Sequence, residues 1–566
     1  MARDKDVSRQ VWPVGAAILA IAGGLAAFPA AAADDAQIKK LESMIERLEA
    51  QHQADMQQLQ AELAQLKAQQ GQQAAQVQQT AQTLEVQQQQ QAKIEQQIKS
   101  LPPAGGPRLI ESPTHQFGFT STDGQNSVAI LARLMFDGAD YFHTVPEGGV
   151  KGAGPGGTAG PLDSGVNARR ARLGIGGTLD GDWAYRLIYD FGSSADSVTP
   201  GVSGAVTSGV ENAYITYNGF YKPNNRVPLA IDLGYLDIPW TMDEASSSND
   251  IMFLERSSSQ VVATEFGGGD FRSGFGLRSN DQRYWAGLYV TGPTSGTPHT
   301  GADIGTYSTL GRLAYQLYQD ADVSVHLGAN VAHLFNARAN STTTSATGIT
   351  DIAANPVLAL TDRPELRVDP TTILNTGNIP ASSGSVEGLE AAAAGHGFYL
   401  QSEYYHYTLG QRPGGVNPSD GAVNKVSPDL NFNGGYVEAS YAIGGQRHYI
   451  AETGAYSGVV PLSPFRLGEG GGFGAFEFAA RYSAIDLNDL FTFGKAPHLT
   501  GGVNGGNQKG VDVGINWYPN INVKFMLDYI HTDVTDLYKP TTNGTAQTTP
   551  SGATINAVAV RSQFLF

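Results

Sequence analysis

The chain has 566 residues, no cysteine, 69 glycines, 41% hydrophobic residues and a formal net charge of −17. The missing cysteine excludes a disulfide scaffold and a thiol-ligated metal, and the acidic balance argues against a nucleic-acid binder, which needs a basic surface. A mean hydropathy of −0.22, with no long apolar run beyond the amino terminus, excludes a helical transmembrane bundle.

The amino terminus reads as an address. Arg3, Lys5 and Arg9 precede an apolar run over 14–28, and Ala31, Ala32 and Ala33 follow it. Positive, then apolar, then small residues is the order of a secretory signal peptide, predicted here over 1–33. A single membrane anchor is the competing reading, but the run is short and interrupted by glycine.

Residues 34–100 change to Gln, Ala, Glu and Lys. Apolar positions recur at Ile38, Leu41, Ile45 and Leu48, then resume after Met56 at Leu59, Leu63 and Leu66, with sparser members at Val77, Leu84, Ile94 and Ile98. Steps of three and four with one extra four-residue step predict a coiled coil with a stutter, and hence an oligomer. A Gln-rich disordered tail is the alternative. Such a periplasmic stalk could hold the oligomer together or reach the cell wall. Leu101-Pro102-Pro103-Ala104-Gly105-Gly106-Pro107 stops the helix, and a linker is predicted over 101–113.

From residue 114 to 566 the period switches to two. The clearest unit is a hairpin around Leu179-Asp180-Gly181-Asp182. On its second strand Trp183, Tyr185, Leu187, Tyr189 and Phe191 share one face, opposite Ala184, Arg186, Ile188 and Asp190. On its first, Ala171, Leu173 and Ile175 oppose Arg170, Arg172, Gly174 and Gly176. Further strands are predicted over 213–217, 229–236, 287–291, 323–333, 398–407, 436–443, 476–485, 511–517, 523–529 and 555–566. Weaker patterns at 128–137, 271–279, 307–318 and 386–394 bring the count to about sixteen.

The links between them alternate. Those near 178–182, 279–283, 318–321 and 394–397 are short, whereas 138–167, 192–209, 237–270, 334–385 and 487–508 are long and rich in Gly, Ser, Thr, Asn and Pro. Short periplasmic turns and long external loops mark an outer-membrane barrel. Segment 444–473 is set aside as a periplasmic excursion, because a seventeenth strand would place the chain ends on opposite sides. The last strand ends on Phe566, with Val558, Val560 and Phe564 on the same face, like the assembly signal of bacterial outer-membrane barrels. The predicted fold is all-β and transmembrane: an antiparallel barrel preceded by a helical coiled coil, with greasy faces toward lipid and charged faces toward a lumen.

Several stretches carry a family resemblance. Asn167-Ala-Arg-Arg-Ala-Arg-Leu-Gly-Ile-Gly-Gly-Thr178 with Trp183 and Tyr189-Asp190-Phe191, Glu211-Asn-Ala-Tyr-Ile-Thr-Tyr-Asn-Gly-Phe220, Glu244-Ala-Ser-Ser-Ser-Asn-Asp-Ile-Met-Phe-Leu-Glu-Arg256 and Asn516-Trp-Tyr-Pro-Asn520 resemble the phosphate-selective porin O and P family. The resemblance implies a sixteen-stranded trimeric barrel in outer-membrane lipid that passes small anions, phosphate above all. It implies a constriction formed by Arg133, Arg169 and Arg170 on the wall, with Ser247, Ser248 and Arg256 from an infolded third loop and Glu211 as counter-charge. Arginine suits this task because its fork binds anion oxygens in pairs and never deprotonates. Alternation gives a slightly different set, with Arg170 and Arg172 toward the lumen and Arg169 toward lipid.

The departures concern the substrate. Glu244 and Asn249 stand where the family carries lysines, and the long loop 334–385 offers only Arg338, Arg363 and Arg367 for outer-loop anion capture. A weaker electrostatic funnel predicts weaker capture and wider selectivity. An enzyme is the rival class. There is no His-Glu-x-x-His, Gly152-Ala-Gly-Pro-Gly-Gly157 has no helix after it, and no metal or cofactor is expected. A hydrolase remains a remote third reading, behind a general diffusion porin tethered to the cell wall.

Overall fold

The computed structural model describes residues 117–145, 161–192, 209–220, 228–266, 272–294, 307–320, 322–335, 343–344, 350–351, 357–468, 471–537, 543–548 and 550–566, together with 108–111 and positions 42, 43 and 46. The predicted signal peptide and nearly all of the predicted coiled coil lie outside the described residues.

The opening hairpin becomes part of a closed wall. Its strands are β2 (Gly165–Leu179) and β3 (Trp183–Asp190), preceded by β1 (Ser127–Val145). The wall continues through β4 (Gly209–Tyr217), β5 (Ala230–Leu236), β6 (Arg272–Asn280), β7 (Tyr284–Thr294), β8 (Ser308–Gln319) and β9 (Val323–Leu334). Then come β10 (Ile379–Gly395), β11 (Phe398–Gln411), β12 (Leu430–Ile443), β13 (Ala475–Asp489), β14 (Val503–Asn520), β15 (Val523–Thr535) and β16 (Ala553–Leu565). Each pairs antiparallel with its neighbours in sequence, and β16 pairs with β1, closing sixteen strands into a barrel. Closure leaves the sixteen-stranded wall itself without a free edge, which is what a strand-built membrane span requires. The strands run longer than the alternation alone marked. β1 reaches Val145, β13 reaches Asp489 and β14 starts at Val503, so the loops between them are shorter than predicted.

The direction of the faces decides the environment. Leu173 and Leu187 are 52% and 47% exposed, while Arg170 and Arg172 on the opposite face are 4% and 7% exposed. A soluble sandwich would show the reverse. The apolar belt therefore meets lipid. At its short-turn end Trp517 stacks with Phe476 and Phe525 and meets Phe465 edge-on, a local aromatic girdle. Phe566 exchanges backbone hydrogen bonds with Ala132 of β1, so the terminal residue sits on the closing seam.

The arginines are buried because three segments fold into the lumen. The first runs from Thr241 to Phe266 and carries α1 (Met242–Ala245) and α2 (Ser258–Thr264). Thr241 caps α1 by accepting the Glu244 N–H, and Ser257 caps α2 by accepting the Gln260 N–H. The spacings Thr241-x-x-Glu244 and Ser257-x-x-Gln260 are helix-start signals. The second segment covers 357–378. The third is 444–461, where Gly445–Gln446 pairs with Val460–Pro461 and Tyr449–Ile450 with Ala455–Tyr456. None of these short pairs joins the wall, in line with leaving 444–473 out of the strand count.

Candidate pore constriction

The wall segment of β1 and β2 contains an irregularity that sets the site. Met135 pairs with Arg170, but the next residue, Phe136, pairs with Ala168, so Arg169 is an extra residue in a β-bulge. A bulge breaks the alternation for one step. Arg169 and Arg170 thus both face inward, at 2% and 4% exposure, and the lipid facing that strict alternation assigned to Arg169 is corrected.

Arg169 grips the first infolded segment. It donates to Glu255 from Nε at 2.6 Å and from Nη2 at 2.9 Å. Arg561 of β16 reaches the same carboxylate at 3.1 Å while forking onto Asp137 at 2.7 Å through both Nε and Nη2. Arg367 lies 3.8 Å from Glu255 and 2.8 Å from Asp362. Burial alone would raise the Glu255 carboxyl, but Arg169, followed by Arg561 and Arg170, overrides that and holds it below the usual carboxylate range.

The same stretch is tied to β13, β14 and β15 by its backbone. The Leu254 N–H donates to Asp528 at 2.8 Å, and the Met252, Ile251 and Glu255 carbonyls accept from Asn516, Lys524 and Arg481. On the β11 side, Glu403 accepts the Met242 and Asp243 N–H groups at 2.9 and 3.0 Å, a carboxylate at the first turn of α1. The infolded segment is therefore a fixed partition.

Arg133 sits differently. Its Nη1 donates to Ser248 Oγ at 2.6 Å and its Nη2 to Ser247 Oγ at 3.3 Å. Among the described residues it makes no ion pair. Across the strand in register stands Arg172, which donates to Asp190 at 3.0 Å and also binds Glu211. The guanidiniums of Arg133, Arg170 and Arg172 thus share one neighbourhood with the carboxylates of Asp190, Glu211 and Asp250. Arg256 is turned into its own loop, donating to the Asp243 and Ser246 carbonyls at 3.0 and 2.8 Å with the Asp243 and Glu244 carboxylates 3.7 and 3.8 Å away.

Of the residues expected to capture anions on an outer loop, Arg338 lies outside the described residues. Arg363 and Arg367 belong to the second infolded segment and are 9% and 7% exposed. Glu365 beside them binds Arg481, Ser483 and the Ser258 N–H. Arg363 has its Nε buried without a hydrogen-bond partner. Burial, and then Arg367 and Arg169 nearby, lower its guanidinium to about 10.

The third segment is latched from β8. Arg312 donates to the Thr453 and Gly454 carbonyls and to Glu390, which also contacts His326 at 2.8 Å, and Trp285 Nε1 donates to the Glu452 carbonyl at 3.0 Å.

The sequence reading did not single out Glu255, Asp137, Arg561, Arg481 or Glu365. Period two in β16 puts Arg561 with Ala559 and Gln563, opposite Val558 and Val560, and could have found it. Glu255 and Glu365 lie in irregular chain, where no periodicity points at them.

A closed sixteen-stranded wall with chain folded into its lumen is the architecture of a pore. The family model of phosphate-selective porin O and P matches residues 157–566.

The chain belongs to this porin family.

It is an outer-membrane porin, a channel rather than an enzyme. Porin O of Pseudomonas aeruginosa is 25% identical over 369 residues, covering 64% of this chain and 75% of that protein. A Caulobacter vibrioides protein is 24% identical over 382 residues, covering 65% and 63%. Among solved structures, the outer membrane channel DcaP of Acinetobacter baumannii is 12% identical with a TM-score of 0.42, covering 79% of this chain and 99% of that one. The anion-selective porin from Comamonas acidovorans is 12% identical with a TM-score of 0.41, covering 78% and 100%.

Proposed function

We propose that this porin carries small anions, phosphate or related species, by passive diffusion through a constriction built around Arg133. The carrying observation is that Arg133 spends its hydrogen bonds on two serine hydroxyls rather than on a carboxylate. A guanidinium so placed keeps its charge available, while Ser247 and Ser248 can replace part of an anion's hydration as it passes. Arg170 and Arg172 add positive potential, and Asp190, Glu211 and Asp250 limit it. A cluster balanced in this way attracts anions without trapping them, as conduction needs. Arg169 and Arg256 act by holding the infolded loop in place. Arg363 and Arg367, buried in the second infolded segment rather than on an outer loop, help hold that segment inside, Arg367 through Asp362. A homotrimer is the expected assembly, by family, with the 34–100 stretch as its stalk.

Single-channel recording in a planar bilayer under a salt gradient tests this. The reversal potential should show anion preference, and phosphate should block chloride current. Cation preference in the intact protein would overturn the anion reading. Block by phosphate no stronger than by sulfate would leave a general anion pore.

A further inference from the structure

Most cations on the lumen face of β2 to β6 are matched by acids. Arg172 has Asp190 and Glu211, and Arg278 lies 2.9 Å from Asp232. Arg186 is different. On β3 it alternates with Leu187 and Tyr189, which are 47% and 37% exposed to lipid, so its side chain points into the lumen. It pairs in register with Gly176 of β2. Gly176 has no side chain to cover it: a Cβ built there would lie 3.2 Å from Leu131 Cδ1 and 4.0 Å from Arg186 Nε. Arg186 is solvent-exposed, and among the described residues it makes no ion pair or side-chain hydrogen bond.

Its height in the barrel follows from the ladder. Arg133 pairs with Arg172, and Ala129 pairs with Gly176, which pairs with Arg186. Arg186 is therefore four residues nearer the short-turn end than Arg133, a separation of roughly 13 Å along the strand at about 3.3 Å per residue. That exceeds the Debye length of about 8 Å at physiological salt, so the two guanidiniums act as separate centres.

We propose that Arg186 is a second anion station, on the periplasmic side of the constriction, receiving the anion that leaves Arg133. This rests on the anion reading above and extends it along the pore. Conduction through a narrow pore needs several weak sites in series rather than one strong one, and an exposed arginine without an acidic partner is such a weak site.

The test uses the full-length porin in planar bilayers, with potassium chloride as the permeant salt, and the variants R186A, R186K and R186E. At 0.1 M salt, R186A should lower anion conductance roughly two- to fourfold, the size expected from one lightly screened charge about 5 Å from the ion path. R186K should retain the wild-type conductance. R186E should make the current asymmetric with voltage, because the new negative charge lies on one side of the constriction. The differences should fade at 1 M salt, where the Debye length is about 3 Å. An anion-selective wild type whose R186A and R186E variants conduct symmetrically and at the wild-type level in 0.1 M salt would overturn the station while leaving the anion reading standing. A cation-selective wild type would overturn both.

Discussion

Replacing Glu255 by glutamine would test whether the first infolded segment is a fixed partition. Glu255 is 5% exposed and accepts from Arg169 at 2.6 and 2.9 Å and from Arg561 at 3.1 Å. Glutamine is nearly isosteric, but it removes the buried charge that Arg169 grips through two donors, whereas Arg561 keeps Asp137. Removing one partner of a buried pair costs about 3–5 kcal/mol. The remaining anchors, Leu254 N–H to Asp528 and the carbonyls of Ile251 and Met252, are worth about 0.5–3 kcal/mol each and should keep the segment inside. Its locally detached population should still rise by roughly two to four orders of magnitude. The sixteen-strand ladder does not pass through Glu255, so the barrel should remain closed. The assay is hydrogen exchange of the 251–257 amides, together with open-channel current noise. Wild-type protection and noise in E255Q would refute the partition argument. The pH dependence has a definite sign. A carboxyl held below its ordinary value contributes stability that is fully present above the unfolded value, roughly 4.3, and is lost progressively as pH falls from there through the depressed folded one. Acidification to about pH 4.3 should therefore leave protection of this stretch nearly unchanged.

Three further outcomes follow from the geometry. Arg133→Ala should shift the reversal potential toward zero in a chloride gradient and lower anion conductance by roughly threefold at 0.1 M salt, for the removal of one partly screened charge. Gly454→Ala should displace the third infolded segment and raise conductance: Gly454 has φ 62° and a Cβ there would lie 2.7 Å from Trp285 Cβ. The strain is about 1–3 kcal/mol, so a lower unfolding temperature by calorimetry should accompany the larger current. Deleting residues 34–100 should leave single-channel conductance unchanged and reduce the trimer fraction seen on mild-detergent gels; loosened envelope adhesion with intact trimers would instead assign the stretch to tethering.

The wall was legible because its signal is local. In β14, Val511, Val513 and Ile515 alternate with Asp512 and Gly514, and the structure turns those apolar residues to lipid and Asp512 to the lumen. Each strand face answers to one solvent, so period two survives folding intact. The arginine-bearing inner face was partly legible, and for a different reason. Arg170 and Arg172 follow from alternation, while Arg169 depends on a bulge, and one extra residue reverses every inference about facing.

What the sequence by itself determined is therefore the barrel, its approximate strand number and the arginine-bearing face of β2, since hydrophobic periodicity is written residue by residue. What only the tertiary structure decided is which carboxylate each arginine meets. Arg169 is neutralised by Glu255, 86 residues away, and Arg561 by Asp137, 424 residues away. Such pairings arise when irregular chain and distant strands meet inside a closed wall, and no pattern along the chain encodes which carboxylate each guanidinium will find. Arg133 and Arg186 stand apart for the same reason: the fold brings hydroxyls to one and, among the described residues, no acidic partner to the other.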